Sequence, residues 1–244
     1  MNEKHSYPPI FILAGGLGTR LGALTEHKPK ALVEVAGKPF VTHQLDLLRR
    51  RGAQRVVLCT GYLGEMIEDF VKDGSAFDLK VSYSHDGNQL LGTGGALKQA
   101  VNAFPEITAF ALTYGDSYLD FDWYPAYTQF SQSSKAGLMT VLRNRDRWGA
   151  SNVSLSGDLI AAYEKKPAQG QFEYIDYGFS FLKGNVFKRI HKEAFDLDLL
   201  WQSLIADKQL LGHEVSNRFY EVGTPEGIVE TESLLLKQKK MATQ

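Results

Sequence analysis

An α/β fold, built on a mostly parallel mixed sheet flanked by helices, follows from three observations. Short branched or apolar runs alternate with helical stretches through the first half of the chain. Two glycine-rich loops, at residues 14–18 and 91–95, interrupt that alternation. The 244 residues are 43% hydrophobic, enough to bury the core of one large α/β domain.

Ile10 to Ala14 is short, branched and apolar, and reads as a buried strand. Further strands are predicted over 55–60, 79–84 and 109–113, with helices near 40–51, 63–72 and 94–103. Strands that alternate with helices imply right-handed crossovers, and ligands then bind beyond the carboxyl ends of the strands. Gly15 and Asp116 both lie just after such ends, so one mouth can hold both. The second half predicts strands over 136–142, 151–155, 158–164 and 174–182, and a helix over 196–207. Ser156-Gly157-Asp158 reads as a hairpin turn. A last helix is expected after Gly223, with Thr224 as its N-cap and Pro225 in the first helical position. The charged end from Lys237 to Gln244 is expected to fray. No internal repeat, low-complexity linker or domain boundary is visible, so 1–244 reads as a single domain.

Net charge is −1, from 27 basic and 28 acidic residues, which leaves no bulk electrostatic case for nucleic acid or an anionic membrane. No run approaches the ~18 apolar residues of a spanning helix, and no apolar segment precedes the first strand. A cytoplasmic protein is expected. Cys59 is the one cysteine and sits in the apolar run Val56-Val57-Leu58-Cys59, as a buried strand residue outside any disulfide framework. His5, His27, His43, His85, His191 and His213 have no metal-ligand spacing.

The first loop carries the chemistry. Gly15, Gly16 and Gly18 let the backbone approach a ligand closely, and successive turn N–H groups suit an anion. Thr19 and Arg20 follow at once, and Lys30 comes ten residues later behind Pro29. Arg20 can fork onto phosphate oxygens and Lys30 can supply a point charge. Taken alone, the glycines read equally well as a tight strand-to-helix turn. Two familiar phosphate loops do not fit: Gly18 precedes Thr19-Arg20 rather than Lys-Ser/Thr, and Leu21 stands where a dinucleotide fingerprint needs its third glycine. The second loop, Leu91-Gly92-Thr93-Gly94-Gly95, reads as a helix entry that Thr93 can cap, or as a close approach to a flat ligand. Asp116, after Tyr114-Gly115, reads as an Asx turn or as a carboxylate for magnesium.

The stretch from Leu13 to Pro39 (Ala14-Gly15-Gly16-Leu17-Gly18-Thr19-Arg20-Leu21, Thr25, then Pro29-Lys30-Ala31-Leu32-Val33-Glu34-Val35) resembles the signature of the sugar-phosphate nucleotidyltransferases. These enzymes join a nucleoside triphosphate to a sugar 1-phosphate. The resemblance implies a Rossmann-like, GT-A-like three-layer sandwich. It places a nucleotide-binding part at about 8–135 and a sugar-phosphate-binding part at about 136–225. Many members carry a C-terminal left-handed β-helix; hexapeptide repeats are absent here, so the catalytic unit alone is expected. Dimers are common in the family, so a homodimer is compatible with the resemblance, while the residues themselves do not show the oligomeric state.

By the same resemblance, Leu13, Ala14, Gly15, Gly16, Gly18, Thr19 and Arg20, with Gly92 and Thr93, hold the nucleotide. The resemblance implies that Asp116 is a magnesium ligand. Tyr163-Glu164-Lys165-Lys166-Pro167 is similar to the family's Glu-Lys-Pro element, whose lysine holds the sugar phosphate. Position favours Lys165, and Lys166 is inserted beside it; on a strand only one of the two faces the site. Tyr174-Ile175-Asp176-Tyr177-Gly178 is similar to the sugar-contacting Ile-Asn-Ala/Thr-Gly segment, with Asp176 in place of asparagine and Tyr177 in place of a small residue. An acceptor-only carboxylate there favours sugar hydroxyls, to which Glu164 and Tyr114 add; Tyr177 reads equally as core. Glu221 in Glu221-Val222-Gly223-Thr224-Pro225-Glu226 stands where the family has its second magnesium-binding aspartate. Arg20, Lys30 and Lys165 are the expected catalytic cations and Mg2+ the expected cofactor. The combination of the two glycine loops most resembles heptose and mannose 1-phosphate guanylyltransferases, which implies GTP. Uridylyl or cytidylyl transfer, or a non-catalytic nucleotide-sugar-binding subunit, are the alternatives.

Overall fold

The computed structural model describes residues 7–87 and 91–242, so His5 lies outside it. The chain begins with strand β1 (Ile10–Leu13) and a small hairpin of β2 (Glu34–Val35) and β3 (Lys38–Pro39). Helix α1 (Phe40–Arg50) then leads to β4 (Arg55–Thr60), α2 (Gly64–Val71) and β5 (Lys80–His85). Helix α3 (Gly92–Ala103) precedes β6 (Ala109–Tyr114), the two-residue β7 (Ser117–Tyr118) and α4 (Tyr124–Ser131). The second half comprises β8 (Gly137–Arg143), β9 (Val153–Ser156), β10 (Leu159–Tyr163), β11 (Tyr174–Lys183), α5 (Leu197–Ala206), β12 (Leu210–Val215), β13 (Tyr220–Glu221) and α6 (Pro225–Ala242).

Nine strands form one sheet in the order β5-β4-β1-β6-β11-β8-β12-β10-β9. Side-chain alternation explains the layers. Ile10 and Ile12 of β1, with Val56 and Leu58 of β4, meet Leu45 of α1, Ile67 of α2 and Phe130 of α4 on one face. Phe11 and Val57 point the other way, against Leu97 of α3 and Leu200 and Trp201 of α5. Helix α6 closes a third, smaller core through Leu235, against Phe40, Leu47, Tyr118 and Val222. The result is the expected three-layer α/β sandwich.

The expectation of a mostly parallel sheet holds for the first half only. β1 runs parallel to β4 and β6, and β4 to β5. β11 is antiparallel to both β6 and β8, and β10 is antiparallel to β12 and β9. Only β8 and β12 are parallel in the second half of the described sheet. The short turn between β9 and β10 dictates antiparallel pairing there, because parallel neighbours need a long crossover. Helix α4 and strand β12 had no sequence expectation: the first opens on Tyr124-Pro125, the second is broken by Gly212.

Two further expectations are corrected. The C-terminal segment is helical through Ala242, where Gln238 accepts from the Tyr118 hydroxyl at 3.1 Å and donates to Asp120 Oδ2 at 3.3 Å; Thr243 and Gln244 lie outside the described residues. Strand β10 ends at Tyr163, so Glu164, Lys165 and Lys166 are not strand residues and strand alternation does not choose between the lysines. The start of α6 is as expected: the Gly227 N–H donates to Thr224 Oγ1 at 3.1 Å. Among the described residues no helix is long and apolar enough to cross a membrane.

Candidate active site

A cavity of about 410 Å³ opens at the carboxyl ends of β1, β4 and β6. Leu13, Ala14, Gly15, Gly16, Lys30, Gly92, Thr93, Tyr114 and Asp116, all candidate site residues from the sequence, line it. Gly15 is required by close packing: a Cβ there would lie 3.0 Å from the Gly61 nitrogen and 3.1 Å from Asp86 Oδ2. Gly18, Thr19 and Arg20 do not line this cavity. Gly18 has φ +66°, and its carbonyl accepts from the Leu21 N–H and the Thr25 hydroxyl, each at 2.9 Å. It shapes the loop from outside. Thr19 lies in a shallow groove with Leu17 and Tyr62 on the outer side of the loop.

The second loop is built against the entry to α5. The Gly94 and Gly95 N–H groups donate to the Phe195 carbonyl at 2.9 and 3.0 Å. A Cβ at Gly94 would strike the Phe195 ring. Thr93 does not cap α3 as expected. Its hydroxyl oxygen accepts from the Leu197 N–H at 3.0 Å, at the start of α5, because the Phe195–Asp196 segment lies across that helix entry.

Across the cavity, Lys30 Nζ donates to Asp116 Oδ2 at 2.6 Å. The pairing of β7 with β13 sets Ser117 opposite Glu221, and the Val222 N–H donates to the Asp116 carbonyl at 2.9 Å. Burial raises the Glu221 carboxyl above the usual range; the Asp116 charge adds to this, while Arg20 and Lys30 oppose it. A Cβ on Gly223 would sit 3.0 Å from an Arg20 guanidinium nitrogen and 3.4 Å from Asp116 Oδ2, so this glycine keeps Arg20 beside the carboxylates. Arg20 thus joins the charged cluster at the cavity edge. Among the described residues no three His, Cys, Asp or Glu side chains are arranged to hold a metal. Asp116 and Glu221 fit magnesium nonetheless, since that ion takes one or two carboxylates and completes its shell with water and phosphate.

The expected sugar-phosphate residues spread further. Lys165 pairs with Asp196, which lines the cavity, whereas Lys166 is simply exposed. The Lys165 ammonium holds the Asp196 carboxyl below its ordinary range. Glu164 turns away: its Oε1 accepts from Gln171 Nε2 at 2.7 Å at an exposed position. Asp176 sits at a bulge in β11, where Gly178 has φ +91° and donates its N–H to Asp176 Oδ1 at 2.9 Å. Burial pushes the Asp176 carboxyl up to about 6. Burial, then Asp176, Tyr163 and Asp116, hold the Tyr114 hydroxyl protonated, so it stands as a donor between the two groups of acids. Tyr177 is core, packed edge-on against Phe121.

Two cavity acids escaped the sequence reading. Asp86 lines the cavity, and burial pushes its carboxyl up to about 6. It follows β5 directly, as Asp116 follows β6, and that placement was a readable signal. Asp196 had no signal beyond its place at a helix start.

Residues 10–238 match the nucleotidyl transferase family, which spans most of the chain. The chain belongs to that family, whose members include the sugar-1-phosphate nucleotidyltransferases. Its relatives are enzymes of that class. The D-glycero-alpha-D-manno-heptose 1-phosphate guanylyltransferase of Campylobacter jejuni is 29% identical over 216 residues, covering 88% of this chain and 94% of its own. The glucose-1-phosphate cytidylyltransferase of Salmonella typhi is 28% identical over 203 residues, covering 75% of this chain and 78% of its own. Among solved structures, HddC from Yersinia pseudotuberculosis complexed with GMP-PN superposes with a TM-score of 0.76 at 26% identity, over 93% of this chain and 99% of that one. The family generally uses a divalent metal.

Proposed function

We propose that this nucleotidyltransferase condenses GTP with a heptose or hexose 1-phosphate, with magnesium, to give a GDP-sugar and pyrophosphate. The observation that carries this is the cluster of Lys30, Asp116, Glu221 and Arg20 at the edge of the cavity formed by Gly15 and Gly16. Similarity to the Campylobacter guanylyltransferase favours guanine and heptose over the alternatives.

In the reaction a phosphate oxygen of the sugar 1-phosphate bonds to the α-phosphorus of the triphosphate. The bond from that phosphorus to the bridging oxygen breaks, and its electrons leave on pyrophosphate. The nucleophile is already an anion, so the protein contributes position and charge rather than a general base. Arg20 and Lys30 hold the triphosphate and neutralise the leaving pyrophosphate. Lys165 exchanges Asp196 for the incoming sugar phosphate. Asp176 and Tyr114 accept from and donate to sugar hydroxyls. Asp116 and Glu221 hold magnesium, which when bound neutralises phosphate charge. The nucleotide part, about 8–135, and the sugar part, about 136–225, meet along β6 and β11.

Incubating the protein and magnesium with each of GTP, CTP, UTP, dTTP and ATP against heptose, mannose and glucose 1-phosphates, with pyrophosphate as the readout, tests the proposal. GTP with heptose or mannose 1-phosphate is the expected productive pair. Pyrophosphate only with another nucleotide would overturn the guanylyl assignment, and none with any pair would overturn the reaction.

A further inference from the structure

Gln44 lies on α1, away from the cavity, and is only 2% exposed. Its Nε2 donates two hydrogen bonds, to the Tyr114 carbonyl at 2.7 Å and to the Ser117 carbonyl at 2.9 Å. Those carbonyls bracket the Gly115-Asp116 turn on both sides. Both neighbours are acceptors, so the amide nitrogen has to face them. Gln44 Oε1, in turn, is buried with no hydrogen-bond partner among the described residues. An unpaired buried acceptor is destabilising, and an aliphatic side chain would fill the same space without it. What the glutamine supplies in return is the pair of donors across the turn.

We infer that Gln44 is the positioning residue for the paired carboxylates, fixing Asp116 against Lys30 and, through Ser117, against Glu221. The other restraints on the turn leave this side open. The Gly115 N–H donates to the Leu13 carbonyl at 2.8 Å, and the Asp116 carbonyl accepts from Val222. Both act from the β1 and β13 sides. Gln44 alone among the described side chains bonds the carbonyls of both Tyr114 and Ser117. Ser117 is also the residue paired with Glu221, so the same two bonds set the separation of the two acids. Losing them frees two interior carbonyls, and the turn carrying Asp116 relaxes. Partners that orient a metal-binding group typically change metal affinity or activity about 10–100-fold when removed.

The inference rests on the proposed nucleotidyl transfer at this site, and binding measurements separate the two. Gln44→Met keeps volume and removes both donors. Gln44→Asn keeps an amide but withdraws it by one methylene, so it reaches one carbonyl at most. Leu48→Ala destabilises the same helix from the sheet core and serves as control. Titration calorimetry uses the triphosphate that native protein binds most tightly, once with magnesium and once with EDTA, below the melting temperature of every variant. The expected result is a loss of about tenfold or more in magnesium-nucleotide affinity for Gln44→Met, a smaller loss for Gln44→Asn, and unchanged metal-free nucleotide affinity. kcat should fall with the KM for sugar phosphate unchanged. Leu48→Ala should lower Tm and leave the metal-dependent affinity native. Equal losses with and without magnesium, native affinity in both Gln44 variants, or the same loss in Leu48→Ala would each overturn the inference. Intact metal-dependent binding in native protein that releases no pyrophosphate would overturn the reaction and leave the role of Gln44 measurable.

Discussion

Lys30 Nζ lies 2.6 Å from Asp116 Oδ2, although 86 residues separate them in the chain. Their side chains are 19% and 16% exposed, so the pair is shielded from much of the solvent screening that weakens surface ion pairs. It joins the first glycine loop to the end of β6. With Arg20 and Glu221 nearby, it makes a charged cluster in which two cations face two carboxylates.

On the proposed reaction Lys30→Ala removes a charge that meets the triphosphate, and it leaves Asp116 beside Glu221 without its partner. Turnover should fall by about 10²-fold or more, measured as pyrophosphate release. Tm should fall by only about 2–6 °C, since the fold does not depend on this pair. Near-native turnover would remove Lys30 from the catalytic set.

Glu221→Gln should separate stability from activity. The Glu221 carboxyl is raised, so its ionised form is disfavoured in the folded state. A raised carboxyl holds its proton in the native state over a range where the unfolded chain has lost it, so stability falls as pH rises through that range. The glutamine variant should therefore melt slightly higher than native protein at pH 8, lose that advantage near pH 4, and show a weaker response of activity to magnesium. A lower Tm at pH 8 with unchanged magnesium response would contradict both expectations.

Asp86 and Asp176 extend the same linkage to a defined window. Each carboxyl stands near 6 in the folded protein, against about 3.9 in an unfolded chain. Stability should decline between about pH 4 and pH 6 and level off above. Replacing either with asparagine should flatten that slope and stabilise by roughly 1–2 kcal/mol at pH 8, after allowing for partial solvent access. Urea unfolding at pH 4, 6 and 8 measures this directly. An unchanged slope in both variants would refute the assigned protonation.

Lys165→Ala should raise the KM for the sugar 1-phosphate about tenfold or more, while the nucleotide KM stays within twofold of native. Lys166→Ala should change neither. Initial-rate kinetics with each substrate varied in turn distinguishes them, and an effect confined to Lys166 would reverse the assignment.

Much of the site was legible because its signals are local. Gly15 and Gly16 sit at a strand end, Lys30 follows within the same contiguous stretch, and Asp116 closes another strand, so a few residues of sequence announce each. Asp86 carried the same strand-end signal. Asp196 and Gln44 carried none: an aspartate at a helix start and a polar residue on a helix read as cap and surface. Thr93 differs from one of its two sequence readings for a related reason. Its local context suggests a cap, but a backbone N–H 104 residues away takes its hydroxyl.

The sequence by itself determined the helix-flanked α/β class, the order of most elements and the first glycine loop, because periodicity and backbone freedom act over a few residues. Only the tertiary structure decided the antiparallel second half, the pairing of Lys165 with Asp196, and the Gln44 bonds that bracket Asp116. Each of these depends on which distant surfaces pack together. A buried polar group must find its partner wherever the packed chain presents one.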